Sequence, residues 1–132
     1  MSQELVILVS ASPVKAQVHL TAIRFIEQLI KQQVAIRSVF FYQDAVTVAN
    51  RFICPPSDEP QLAEKWQSIS LEKQLELQTC VAASYRRGII DNHQAEELSF
   101  KANNLHPSFK ITGLGQLAAA MSDSDTKLIH FK

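Results

Sequence analysis

Cys80 is the residue in this sequence best placed to do chemistry. It closes the run Leu75–Glu76–Leu77–Gln78–Thr79–Cys80 and opens Val81–Ala82–Ala83–Ser84–Tyr85–Arg86–Arg87–Gly88. The first run alternates apolar and polar residues, as a strand does. The second is rich in Ala and ends in two Arg and a Gly, the pattern of a short helix with its stop. A thiol is therefore expected where a strand ends and a helix begins. Amide N–H groups at a helix start point at whatever sits there, and the helix dipole favours negative charge. Such positions move cysteine pKa values from about 8.5 into a range of about 3.5–7.5. A thiolate held this way is a sulfur nucleophile, and it alkylates rapidly at neutral pH. The plainer alternative is a buried structural thiol, because unpaired Cys is among the most buried residue types. Alternation places Glu76, Gln78 and Cys80 on one face of the strand, which is too polar to be fully buried core.

Other candidates carry less. Cys54 precedes Pro55 in a loop; it reads as a resolving partner, a second carrier or an incidental residue, and the incidental reading is preferred. Arg86 and Arg87 either lend positive field to the site or are solvated cations at a helix C-terminus, where the dipole favours them. Tyr42 and Asn50 follow a strand and either line the same edge as Cys80 or serve as capping and packing residues. His19, His93, His106 and His130 show no metal-ligand spacing, and there is no C-x-x-C, so no metal site is expected. No dinucleotide or P-loop fingerprint follows a strand, and the chain has only 3 Gly, so no nucleotide cofactor is expected. Ser10, Ser12 and Ser38 lack a nucleophile elbow.

The elements that must position Cys80 alternate along the chain. Leu5–Val9 is a continuous apolar run, as in strands covered on both faces. Val18, Ala22, Phe25, Ile26 and Leu29 recur at offsets of 4, 7, 8 and 11, predicting a helix over residues 15–32. A strand over 35–41 completes a right-handed βαβ unit. Residues 43–50 read as a short helix. Cys54–Pro60, with three prolines, is a loop. Ser57 or Asp58 is expected to cap a helix over 61–72, with Pro60 in its first turn. Beyond Cys80, a helix over 91–100 with Asp91 as its cap, a strand over 109–112, a helix over 116–121 and a strand over 127–131 follow. The pattern predicts an α/β fold with a mostly parallel sheet.

Composition bounds the rest. With 132 residues and 46% hydrophobic content, one domain over residues 1–132 is expected, with a real core. Lys and Arg number 13 against 13 Asp and Glu, which argues against direct nucleic-acid binding or a basic membrane-facing surface. No apolar run approaches 18 residues, so no membrane span is expected. The start Met1–Ser2–Gln3–Glu4 carries no basic leader, so a cytoplasmic chain with reduced thiols is expected.

Several segments together resemble the TusD/DsrE-like sulfurtransferases. They are Ser38–Val39–Phe40–Phe41–Tyr42 with Ala49–Asn50, Ser57–Asp58–Glu59, Cys80–Val81–Ala82–Ala83–Ser84 with Arg86–Arg87–Gly88, and Gly113–Leu114–Gly115–Gln116–Leu117. The likeness extends over nearly the whole chain; it departs at Ser10–Val14, where the family often has a more Gly-rich turn. It implies a DsrE-like α/β fold with helices on both faces of a mostly parallel sheet. It further implies that Cys80 matches the family's persulfide-carrying, catalytic cysteine, that no cofactor is needed, and that Cys54 has no general counterpart. The implied setting is a relay for 2-thiolation of tRNA wobble uridine. There the donor is a TusA-like protein, the acceptor a TusE-like protein, and the assembly a heterohexamer with TusB- and TusC-like subunits. The resemblance also admits a DsrE-type carrier in dissimilatory sulfur oxidation and a non-catalytic scaffold subunit.

Overall fold

A computed structural model describes residues 3–132; Met1 and Ser2, part of the start read above as leaderless, lie outside the described residues. Five parallel strands form one sheet in the order β4-β3-β2-β1-β5. They are β1 Glu4–Val9, β2 Ala35–Phe41, β3 Leu77–Cys80, β4 Phe109–Thr112 and β5 Thr126–Phe131. The helices are α1 Ala16–Lys31, α2 Leu62–Lys73, α3 Val81–Arg86, α4 Asn92–Glu97 and α5 Leu114–Met121, with a 3-10 helix at Gln43–Ala49. The chain steps one way across the sheet from β1 to β4 and then crosses back to β5. Right-handed crossovers therefore set α1 and α2 on one face and α5 on the other. The α/β fold with covered faces is the one expected.

The apolar run in β1 is central, with Val6, Ile7 and Val9 fully buried between β2 and β5. The buried line of α1 is His19, Ala22, Ile23 and Ile26, one residue round from the expected stripe; Val18, Phe25 and Leu29 are half-buried beside it. The sequence pattern marks His19 only as one of four scattered imidazoles without metal-ligand spacing. Here it lies against the aromatic core, stacked on Phe41 at 6.3 Å and edge-on to Trp66 at 6.1 Å. Phe41 in turn meets Trp66 at 4.9 Å and Phe109 at 5.3 Å. These rings tie α1 and α2 to the carboxyl end of β2.

Two expectations need correction. Neither Ser57 nor Asp58 caps α2: its N-cap is Gln61, and Pro60 precedes the helix. The Gln61 amide turns back to donate to the carbonyls of Pro56 and Glu59, both at 3.2 Å, so the proline loop is closed by this side chain instead. The helix over 91–100 is shorter, ending at Glu97. Asp91 does cap it, accepting from the Gln94 N–H at 2.9 Å.

Candidate functional site

Adjacent strands β3 and β4 end level, with Cys80 paired in register to Thr112. Each then turns at once into a helix: Cys80 is the N-cap residue of α3, and Gly113 is that of α5. No side chain caps either helix, so two sets of helix-start amides lie side by side at the carboxyl edge of the sheet. This edge is where parallel α/β folds gather their ligands. The expected strand-to-helix position of Cys80 is thus observed.

Its exposure is not. Cys80 is 1% exposed and belongs to the apolar core cluster. The strand face judged too polar for burial is open at Glu76 but closes toward its end, with Gln78 and Cys80 both buried. Gln78 is accommodated because its amide donates to the Glu76 carboxylate at 3.2 Å, and Lys110 on β4 pairs with Glu76 at 3.5 Å. Rapid alkylation of Cys80 therefore does not follow from its surroundings, since a thiol shut in apolar packing is inert until it is uncovered.

Helix α3 is fixed at its far end. Gly88 has a φ of +75°, the Gly88 N–H donates to the Tyr85 carbonyl at 3.1 Å, and the Ile89 N–H donates to the Ser84 carbonyl at 2.9 Å. This paired closure is the usual glycine stop of a helix. Arg87 is held by Asp44 of the 3-10 helix, with Nη2 at 2.9 Å and Nε at 3.0 Å, and Nη1 donates to the Ala83 carbonyl at 3.1 Å. It is a brace between elements, while Arg86 is exposed. Asn50 accepts from the Phe52 N–H at 3.0 Å and bridges to Leu105, a packing role. Tyr42 is the N-cap of the 3-10 helix and is half-buried.

The two thiols are free and differently placed: Cys54 is exposed and Cys80 buried. Cys54 lines a cleft of about 430 Å³ with Val14, Ile53, Glu59, Glu64 and His106, and Cys80 does not reach it. Burial lowers the His106 pKa from its ordinary 6.5. Among the described residues no three His, Cys, Asp or Glu side chains gather as metal ligands do. Nor is any helix there long and apolar enough to cross a membrane.

Sequence reasoning missed Thr112. It is 5% exposed and its hydroxyl has no hydrogen-bond partner, a condition shared among the described residues by Thr79, Ser84 and Thr126. Thr112 stands 32 positions from Cys80 in the chain, and only the sheet register brings the two together.

A parallel five-stranded sheet with a thiol at the head of a helix defines the class. Residues 3–131 match the DsrE/DsrF-like family, and the chain belongs to it. Within it, the chain falls with the sulfurtransferases. It is 40% identical over 111 residues to the protein called Sulfurtransferase TusD of Yersinia pestis (strain Pestoides F), covering 84% of each chain. The Sulfurtransferase TusD of Yersinia pseudotuberculosis serotype O:1b matches equally, at 40% identity with 84% of each chain covered. The fold is similar to the crystal structure of the ychN protein from E. coli, with a TM-score of 0.73 at 18% identity, over 98% of this chain and 99% of that one.

Proposed function

We propose that this sulfurtransferase accepts and passes on sulfane sulfur as a persulfide on Cys80, within the relay that 2-thiolates tRNA wobble uridine. The supporting observation is the place of Cys80, last in β3 and first at α3, on the ligand-gathering edge of the sheet. The Cys80 thiolate attacks the outer sulfur of a donor persulfide. A new S–S bond forms, the donor's own S–S bond breaks, and its electron pair leaves on the donor thiolate. An acceptor thiolate then attacks the same outer sulfur and returns the electron pair to Sγ. Sulfur moves with no net oxidation, so the step needs no redox cofactor. The donor is a TusA-like protein, the acceptor a TusE-like protein, and the assembly includes TusB- and TusC-like subunits in a cytoplasmic heterohexamer.

Burial of Cys80 at 1% exposure favours a second reading, a scaffold subunit whose thiol is structural. One experiment separates them. Wild type, Cys80→Ser and Cys54→Ser are incubated with a small-molecule polysulfide and weighed intact. With peptide mapping to locate the sulfur, the relay expects about one sulfur atom on Cys80 in wild type and in Cys54→Ser, while any sulfur taken up by Cys80→Ser sits on exposed Cys54. No sulfur on Cys80 in wild type or in Cys54→Ser refutes it.

A further inference from the structure

We propose that the Thr112 hydroxyl is the hydrogen-bond donor that holds the reacting sulfur of Cys80; this rests on the relay reading. Partners in register on neighbouring strands put their side chains on the same face of the sheet, about 4.8 Å apart along the hydrogen-bonding direction. Thr112 and Cys80 are such partners. The Thr112 Oγ1 is buried and bonds to nothing in the unloaded protein. A buried hydroxyl without a partner is costly, and of the four in that state among the described residues Thr112 is the one paired in register with Cys80.

The Sγ anion needs such a donor. At 1% exposure water cannot solvate a thiolate there. The charged groups nearby are occupied elsewhere. Glu76 and Lys110, further back on the same face, pair with each other at 3.5 Å, and on α3 Arg87 is held by Asp44 of the 3-10 helix at 2.9 Å. Arg86 is exposed, and Tyr85 donates to Asp91 at 3.3 Å. A neutral O–H beside Sγ stabilises the anion at both moments when it exists: as nucleophile before sulfur is taken, and as leaving group when sulfur is passed on. Thr79, equally buried and unpartnered, is the residue before Cys80 on β3 and so points to the opposite face. It serves as the control.

The test is made in a Cys54→Ser parent, so that only Cys80 reacts. Rates of Cys80 alkylation by iodoacetamide are followed against pH for the parent, Thr112→Val, Thr112→Ser and Thr79→Val. Sulfur transfer from the polysulfide-loaded proteins to dithiothreitol is timed alongside. Thr112→Val is expected to move the alkylation midpoint up by about one pH unit, making labelling about tenfold slower at neutral pH. Transfer slows in parallel, Thr112→Ser restores both, and Thr79→Val changes neither. A merely structural threonine gives the opposite sign, because loosened packing exposes Cys80 and speeds labelling. An unmoved or lowered midpoint in Thr112→Val, or no rescue by Ser, overturns the inference while a parent that still loads sulfur leaves the relay standing. A parent that loads no sulfur on Cys80 overturns both.

Discussion

His19 ties the carboxyl edge of the sheet to both covering helices, and its protonation is predicted to set the acid sensitivity of the fold. Its Nε2 lies 2.8 Å from the Ala11 carbonyl, and its Nδ1 lies 3.1 Å from the Trp66 indole nitrogen. Indole N–H only donates, so Nδ1 accepts and the ring proton sits on Nε2, donated to Ala11. A second proton would go on Nδ1, directly against the indole N–H. Burial lowers the His19 pKa from 6.5, and the bond to Ala11 offsets this only in part. Between the folded and unfolded pKa values the unfolded chain holds more protons, so stability rises with pH there. The contribution of neutral His19 is complete above about pH 6.5 and is lost as the pH falls toward the folded value, by up to about 1.4 kcal/mol per pH unit. Against a total stability of about 5–15 kcal/mol, that slope is readable in urea denaturation at about pH 7 and pH 5.5. His19→Gln keeps an N–H near the Nε2 position, removes the acceptor for Trp66 and cannot titrate. It is expected to cost about 1–3 kcal/mol at pH 7, for the indole N–H left unpaired, and to flatten the slope between the two pH values. His106 is lowered in the same direction, so His106→Gln is run beside it to apportion what remains. A His19→Gln protein as acid-sensitive as wild type refutes the assignment.

Two further outcomes test the frame around Cys80. Gly88→Ala adds a Cβ that meets nothing within 4 Å, so its cost is the left-handed backbone alone, about 1 kcal/mol in urea denaturation. Asp91→Ala removes the cap of α4 and lowers stability by about 0.5–2 kcal/mol. It also removes the carboxylate that, after burial, raises the Tyr85 pKa above 10, so the tyrosine absorbance titration shifts downward.

What the sequence disclosed depended on how local the cause was. Strand β2 over residues 35–41, the stop of α3 at Gly88 and the cap at Asp91 are set by neighbours within a few positions, and all three were legible. Alternating strands and helices sufficed for the parallel α/β class. The depth of Cys80 was not legible, because the polar residues Glu76 and Gln78 suggested an open face. Gln78 is buried through a bond to Glu76, and Glu76 meets Lys110 from another strand, a pairing no local window contains. Polar residues buried for a purpose were missed for the same reason: His19 satisfies partners 8 and 47 positions away, and Thr112 meets Cys80 only across a ladder.

Under the relay reading, the helix-start position of Cys80 and its burial make opposite demands on a sulfur carrier. Helix-start amides favour the anion, while removal from water disfavours it. A persulfide held between transfers gains from that enclosure, because stray thiols in solution would otherwise take the sulfur. Loading, however, needs a donor sulfur within bonding distance of Sγ, and a side chain with 1% exposure offers no such approach. Under the relay reading, then, a transient opening precedes each transfer, one that small thiols and polysulfides can use in the free chain and that docking of a donor or acceptor protein prolongs. One of the ties that hold α3 in place lies at the surface, where the Arg87–Asp44 pair is 30% and 66% exposed at its two side chains and adds only modestly to stability. In the free chain, exposed Cys54 is expected to alkylate well before Cys80, and mass spectrometry of the partly labelled protein reads the order directly. A Cys80 that labels first would mean that the edge is already open, and the gating step would have no place.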